Sequence, residues 1–257
     1  MKNRKYNWIP DLPDFRDHYY SVTYLRGAPT KVDLRAHCPP IVNQGQIGIC
    51  TGNALAGAFG FLEMKELGAK NGPEIFIPGN YEPASRLFIY YNERAIEGTV
   101  DQDAGARIRD GVKVLTKTGV CREAAWKYQA NLLTKRPTPG AYKEASDHCI
   151  TEYLRVTSLA QMKSSLAEGY PVVFGFTVYE SFESAQVAKT GVMPMPAAGE
   201  KVMGGHAVLA VGYDDEAKGI IVRNSWGADW GMKGYFVMPY AYIDNLHLAQ
   251  DFWTIRK

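Results

Sequence analysis

Asn43-Gln44-Gly45-Gln46-Ile47-Gly48-Ile49-Cys50 runs directly into a segment whose apolar residues Leu55, Ala58, Phe59 and Leu62 recur at spacings of three and four. That period predicts a helix of about five turns, reaching Glu66-Leu67 and stopped by Gly68, with Cys50 in its first turn. A thiol there faces unpaired backbone N–H groups and the positive end of the helix dipole, both of which favour thiolate. Gln44, six residues upstream, offers a side-chain N–H that can hold an oxyanion together with the Cys50 backbone N–H.

Outward from this helix the first half of the chain stays helical. A Gly/Pro-rich loop from Asn71 to Pro83 leads to a second helix through Leu87, Tyr90, Tyr91 and Arg94, then a third from about Ala106 to Lys117 ended by Gly119. The Tyr90-Tyr91 pair reads as packing. A polar, Pro-bearing stretch, Leu133 to Ala145, suits a crossing between lobes. Ser158-Leu159-Ala160-Gln161 fits a capping box for a short helix ended by Gly169, after which Pro171 to Phe176 begins a buried strand. His206 to Tyr213 and Gly219 to Asn224 form a hairpin through Asp214 to Lys218, and Gly234 to Met238 and Phe252 to Ile255 are further strands. The pattern predicts a helical first half and a β-rich second half, an α+β chain.

His206 follows two glycines, Gly204 and Gly205, which leave a cleft open beside it. The hairpin sets Asn224 next to it, where the amide oxygen can accept the imidazole N–H and fix its tautomer. A lone cysteine or histidine is more often structural than catalytic. Gln44, Cys50, His206 and Asn224, each inside its own local motif, reverse those odds. The expected site has the thiol sulfur within reach of a His206 ring nitrogen, at about 4 Å.

These residues resemble the papain-like cysteine peptidases of clan CA, of the bacterial or viral kind. The Asn43–Cys50 segment is similar to the oxyanion and nucleophile segment and Gly204-Gly205-His206-Ala207-Val208 to the histidine strand. Val222-Arg223-Asn224-Ser225-Trp226-Gly227-Ala228-Asp229-Trp230-Gly231-Met232-Lys233-Gly234-Tyr235-Phe236 is similar to the asparagine strand with its aromatic turn. Val32-Asp33-Leu34-Arg35 looks like the start of the mature enzyme, so the resemblance covers about residues 30–257. His206 and Asn224 lie 156 and 174 residues after Cys50, beyond the usual spacing of about 130–150, which modest insertions account for. The resemblance implies two lobes with a cleft between them, a helical one over about residues 31–135 and a β-rich, antiparallel β-barrel-like one over about 136–257. It also implies an endopeptidase without a cofactor, acting through a Cys-His-Asn thiolate–imidazolium pair and a thioester. An exopeptidase, an acyl transferase or a non-catalytic binding protein on the same scaffold are the alternatives. By resemblance, Trp226 roofs the His206–Asn224 bond, beside a default reading as core. Gly48 and Gly105 touch the substrate backbone, although Gly105 also reads as a helix start. The specificity pocket is walled by Gly175, Gly204 and Ala207, with Gln250 or Asp251 at its floor to admit Arg, Lys or a large apolar side chain, and Gly205 is counted among the substrate-binding residues. Ile47 stands where secreted members commonly carry a disulfide cysteine, Ile49 where they have a small residue and Thr51 where an aromatic follows the nucleophile.

The 257 residues, 46% hydrophobic and 22% charged, suit a folded globular chain. A net charge of +2 with interleaved signs gives no footprint for nucleic acid or an anionic membrane. The longest apolar stretch, about Tyr170 to Tyr179, falls far short of the about 20 residues of a membrane span. A soluble monomer acting on peptides or proteins is therefore expected. The chain shows no signal peptide, which favours a cytoplasmic or non-classically exported protein. His37-Cys38 and His148-Cys149 lack the further ligands of a metal site, and Cys121 and Cys149 are a candidate disulfide pair. Residues 1–30 are too few for a separate folded pro-domain, yet carry Tyr6, Trp8, Ile9, Phe15, Tyr19 and Tyr20. They are expected to pack on the body, either across the cleft as a brief pro-segment or on the back of the β lobe.

Overall fold

The computed structural model describes residues 4–21, 27–71 and 81–257. Helix α1 spans Cys50–Asn71 and carries on through Gly68, where a stop was expected. Gly68 takes no left-handed conformation, so it costs helix propensity without ending the helix. The loop expected over 71–83 lies largely outside the described residues.

Helix α2 (Arg86–Glu97) starts where the Ser85 side chain accepts the Phe88 N–H and ends at Gly98 in the left-handed region, φ 73°. Helix α3 (Ile108–Lys117) ends just before Gly119, also left-handed at φ 77°. The polar stretch read as a crossing contains a helix instead, α4 (Pro139–Ala145). Thr138 caps it and Pro139 fills its first turn, where a missing N–H costs nothing. Helix α5 (Leu159–Ala167) carries the expected cap, Ser158 accepting the Gln161 N–H.

A seven-stranded antiparallel sheet follows. Its order is β2 (Glu152–Val156), β7 (Ala249–Arg256), β3 (Val172–Tyr179), β4 (Val202–Asp214), β5 (Gly219–Arg223) and β6 (Tyr235–Pro239), and β1 (Lys31–Asp33) pairs with β4. The start of the expected helical lobe thus belongs to the sheet. Two short helices, α6 (Ala185–Thr190) and α7 (Tyr240–Ile243), close the far end.

Two apolar clusters divide the interior. One joins α1, α2 and α3 to Val173, Ala207, Leu209, Val211 and Trp253 of the sheet. The other fills the β lobe around Phe174, Phe176, Phe236 and Tyr242. Helix α1 packs on α2, α3 and β4, which brings its first turn against the strand that holds His206. All four cysteines are free, so Cys121 and Cys149 are not paired. Among the described residues no group of three His, Cys, Asp or Glu side chains could hold a metal, and no helix is long and apolar enough to cross a membrane.

Candidate active site

Cys50 opens α1 and is fully buried. His206 lies on β4, opposite Phe176 of β3, and Asn224 follows the last residue of β5. Nε2 of His206 is 2.9 Å from Asn224 Oδ1. An amide oxygen only accepts, so Nε2 carries the proton and Nδ1 is the bare nitrogen of the neutral ring. Trp226 stacks on the imidazole, with ring centroids 5.0 Å apart and planes 22° apart, and is backed by Trp230 and Phe182. Trp226 is therefore both core and roof, and it keeps water from the His206–Asn224 bond.

Gln44 is buried, its Oε1 accepting from Ser225 Oγ at 2.5 Å and its Nε2 donating to Ile47 O at 3.1 Å. Ser225 N also donates to Asn224 Oδ1 at 2.8 Å, so this serine couples Gln44 to Asn224. Ser225 lies inside the Val222–Phe236 segment, but a serine between Asn224 and Trp226 carries no local signal of this role. Thr51 Oγ1 donates to Glu93 Oε2 at 2.7 Å in a fully buried contact, and burial pushes the Glu93 carboxyl well above the usual range.

The cleft is filled by the chain's own arm. Trp8 N donates to Gly205 O at 3.0 Å, Ile9 N to Ala106 O at 3.1 Å, and Ala106 N to Asn7 O at 3.3 Å. Residues 7–9 thus form a strand between the lobes, running parallel to both its neighbours. Side chains alternate along it. Tyr6 meets the His206 and Trp226 rings edge-on at 6.2 Å each, while the Arg4 guanidinium lies 4.0 Å over the Trp226 ring and pairs with Glu183 at 2.5 Å. Asn7 lies between Gly48 and Gly105, and a Cβ on either glycine would overlap it. Gly105 is held at φ 85°, and its N–H donates to the Tyr90 hydroxyl at 2.9 Å, so Tyr90 is part of the cleft rather than packing alone.

Trp8 occupies the pocket expected for specificity, and Gly175 and Gly205 face its ring so closely that a Cβ on either would overlap it. Ala207 packs in the same cluster. Two expectations are corrected here. Gly204 faces Tyr6, not the indole, because its φ of 140° turns it to the next position along the arm. Asp251 is no open acidic floor: its carboxylate accepts from Arg155 Nη2 at 3.1 Å and from Asp11 N at 2.7 Å. Gln250 pairs with Gly175 in the β3–β7 ladder.

The arm also sets the protonation of the site. Burial raises the Cys50 thiol to about 11, against the pull of the Ala207, Asn7 and Thr51 backbone N–H groups. Burial lowers His206 to about 4; the Asn224 bond opposes this, and the Arg4 charge adds to it. Nδ1 of His206 has no hydrogen-bond partner in the covered cleft. Thiol and ring are both neutral.

The fold and site are those of a two-lobed thiol hydrolase. The sequence profile of the papain family cysteine proteases matches residues 101–253. A peptidase C1-like protein of Acanthamoeba polyphaga mimivirus is 43% identical over 225 residues, which cover 84% of this chain and 69% of that one. A cathepsin B-like protein of Giardia intestinalis is 29% identical over 81% of this chain and 68% of its own length. Among solved structures, xylellain, a cysteine protease from Xylella fastidiosa, superposes with a TM-score of 0.89 at 43% identity, covering 100% of this chain and 97% of that one. Digestive procathepsin L 3 of Tenebrio molitor shares the fold at 16% identity, with a TM-score of 0.67 over 100% of this chain and 75% of its own. The chain belongs to the papain family of cysteine proteases, hydrolases that act on peptide or protein substrates.

Proposed function

We propose that the protein is an endopeptidase held latent by its own N-terminal arm. In the open enzyme Nδ1 of His206 takes the Cys50 thiol proton as the sulfur attacks the substrate carbonyl carbon. The carbonyl electron pair moves onto oxygen, held by the Cys50 backbone N–H and the Gln44 amide. Collapse expels the amine, which takes a proton from His206, and leaves a thioester. Water then attacks that thioester as His206 takes its proton, releasing the acid and restoring the thiol. Asn224 and Trp226 keep the imidazole in the orientation this exchange needs.

The observation that carries this reading is the backbone pairing of Asn7, Trp8 and Ile9 with Gly205 and Ala106. It is how an extended peptide binds between two edges, and the chain continues past Cys50 on both sides, as an internal bond requires. The leaving amine must lie by His206, on the Trp226 side, and the acyl part over the Gly175 pocket. The arm has Arg4 and Tyr6 beside Trp226 and Trp8 in the pocket, so it runs opposite to a substrate. A reversed peptide fills the subsites without offering Cys50 a correctly placed carbonyl. An indole in the pocket favours substrates with a large aromatic residue second before the cut.

The test is labelling of Cys50 in the full chain by an epoxide or vinyl sulfone peptide, together with cleavage sites on a peptide library read by mass spectrometry. Cuts inside peptides, abolished by Cys50→Ala with the fold retained, are expected. Removal only of terminal residues would replace the endopeptidase with an exopeptidase, and turnover by Cys50→Ala would move the nucleophile elsewhere.

A further inference from the structure

We infer that Asp103 selects a Lys or Arg side chain at the residue immediately before the scissile bond; this rests on the peptidase reading above. Its Oδ1 accepts from the Tyr90 hydroxyl at 2.7 Å and from Gly48 N at 3.2 Å. Oδ2 accepts from the same Gly48 N at 3.0 Å and from the Lys5 ammonium of the arm at 2.7 Å. The loop that presents it is fastened from below, Arg94 donating to Val100 O at 3.2 Å and Gln102 O at 2.7 Å. The carboxylate is therefore fixed before any ligand arrives. Burial opposes its charge, but Lys5, Tyr90 and the Gly48 N–H together hold its carboxyl below the ordinary range.

Three features place it in the substrate's path. Gly48 and Gly105 wall the position beside Cys50 where the arm places Asn7, and the Asn7 amide already donates to the Asp103 backbone oxygen at 2.9 Å. A Lys or Arg starting from that position extends further along the same wall, toward the carboxylate. The oxygen facing the cleft holds a cation in the latent state, and the Lys5 contact is the one ion pair Asp103 makes among the described residues. When the arm leaves, Lys5 leaves with it, and a buried, preorganised carboxylate is exposed to the substrate.

Asp103 has a second task that explains why it stays ordered. Ile47 removes the disulfide cysteine from the nucleophile loop, and the Asp103 bond to Gly48 N fastens that loop to the 100–105 segment instead. The same residue thus shapes the wall and supplies its charge.

The test compares two fluorogenic peptides, alike but for Arg or Gln before the cut, in the full chain carrying Trp8→Ala to unseat the arm. A charge-assisted bond at a partly buried site predicts a kcat/KM ratio of Arg to Gln of about tenfold to a hundredfold. In the further variant Asp103→Asn, which keeps an acceptor for Tyr90, that ratio falls to within about threefold of unity. Equal cleavage after Arg and Gln by the parent chain overturns the proposal whatever the variant does. So does a ratio that survives Asp103→Asn. A chain that cleaves neither peptide overturns the peptidase reading, and the proposal with it.

Discussion

Gly175 sits in the middle of β3, paired with Ala207 on one side and Gln250 on the other. Its backbone has no freedom to retreat, so any Cβ there must displace the Trp8 ring. Gly175→Val is expected to shrink the pocket and expel the indole. The preference for an aromatic over a small residue at the second position before the cut should fall by about tenfold or more, since a lost aromatic contact of this size costs at least ~1.4 kcal/mol. A substrate-library profile of the variant checks this. An unchanged aromatic preference would mean that the arm's Trp8 site and the substrate's pocket are different places. Thr51 and Glu93 behave otherwise, for both are fully buried and bonded to each other. Glu93 is fully buried and uncharged there, with Oε1 left without a partner.

At the scale of elements, the arm is held by a succession of short contacts. Arg4 lies over Trp226, Trp8 fills its pocket, and Asp11 and Asp17 lie against Arg109, Arg155 and Trp253. Trp8 is 6% exposed, and truncating a buried Trp costs about 3–5 kcal/mol, which is shared between arm docking and local rearrangement. Trp8→Ala in the full chain should therefore raise the initial rate on a small peptide by about a hundredfold, measured before any cleavage of the arm. A rate unchanged from the parent would show that the covered cleft is not what limits turnover. The sequence made some of this legible and hid the rest for physical reasons. The Cys50 helix, the His206 strand and the Asn224 turn each carry a local period or a local motif, so neighbours along the chain suffice to read them. Helix α4 carries only a Thr-Pro cap and two buried alanines, too little for a period. Of the arm's aromatics expected to pack on the body, Trp8 and Tyr20 are buried but Phe15 and Tyr19 stay exposed, and nothing local says which of them finds a surface. Trp8 meets Gly205 almost two hundred residues away, and the contact uses a glycine, which leaves no side-chain signal. Asp103 and Tyr90 were missed likewise, because their roles appear only when the arm and α2 converge on the same loop.

Over the whole molecule, the arm's far half joins both lobes through charges that do not balance. Asp11 and Asp17 of the arm and Asp251 of β7 are buried around Arg109 of α3 and Arg155 of β2, three carboxyls for two guanidiniums. Asp14 is paired with Arg16 within the arm, and the neutral Trp253 N–H donates to Asp11 at 2.8 Å. Burial, with Asp11 beside it, raises Asp251 to about 7, and burial raises Asp11 as well. The docked arm therefore keeps a proton that the released arm, whose Asp11 returns toward its ordinary 3.8, gives up. Docking is strongest in acid and weakens as pH rises from about 4 through about 7, by up to ~1.4 kcal/mol per pH unit for one proton. Latency should thus hold in mild acid and relax at neutral and alkaline pH. The measurement is the labelling rate of Cys50 in the full chain between about pH 5 and about pH 9, taken as a ratio to Asp251→Asn, which cancels the titration of the thiol itself. Asparagine can still accept the Asp11 N–H but needs no proton, and it leaves two carboxylates for two guanidiniums, so docking in the variant should vary little with pH. The ratio of parent to variant should then rise with pH. A flat ratio, or faster opening of the parent in acid, would show that the three-carboxyl cluster does not govern release.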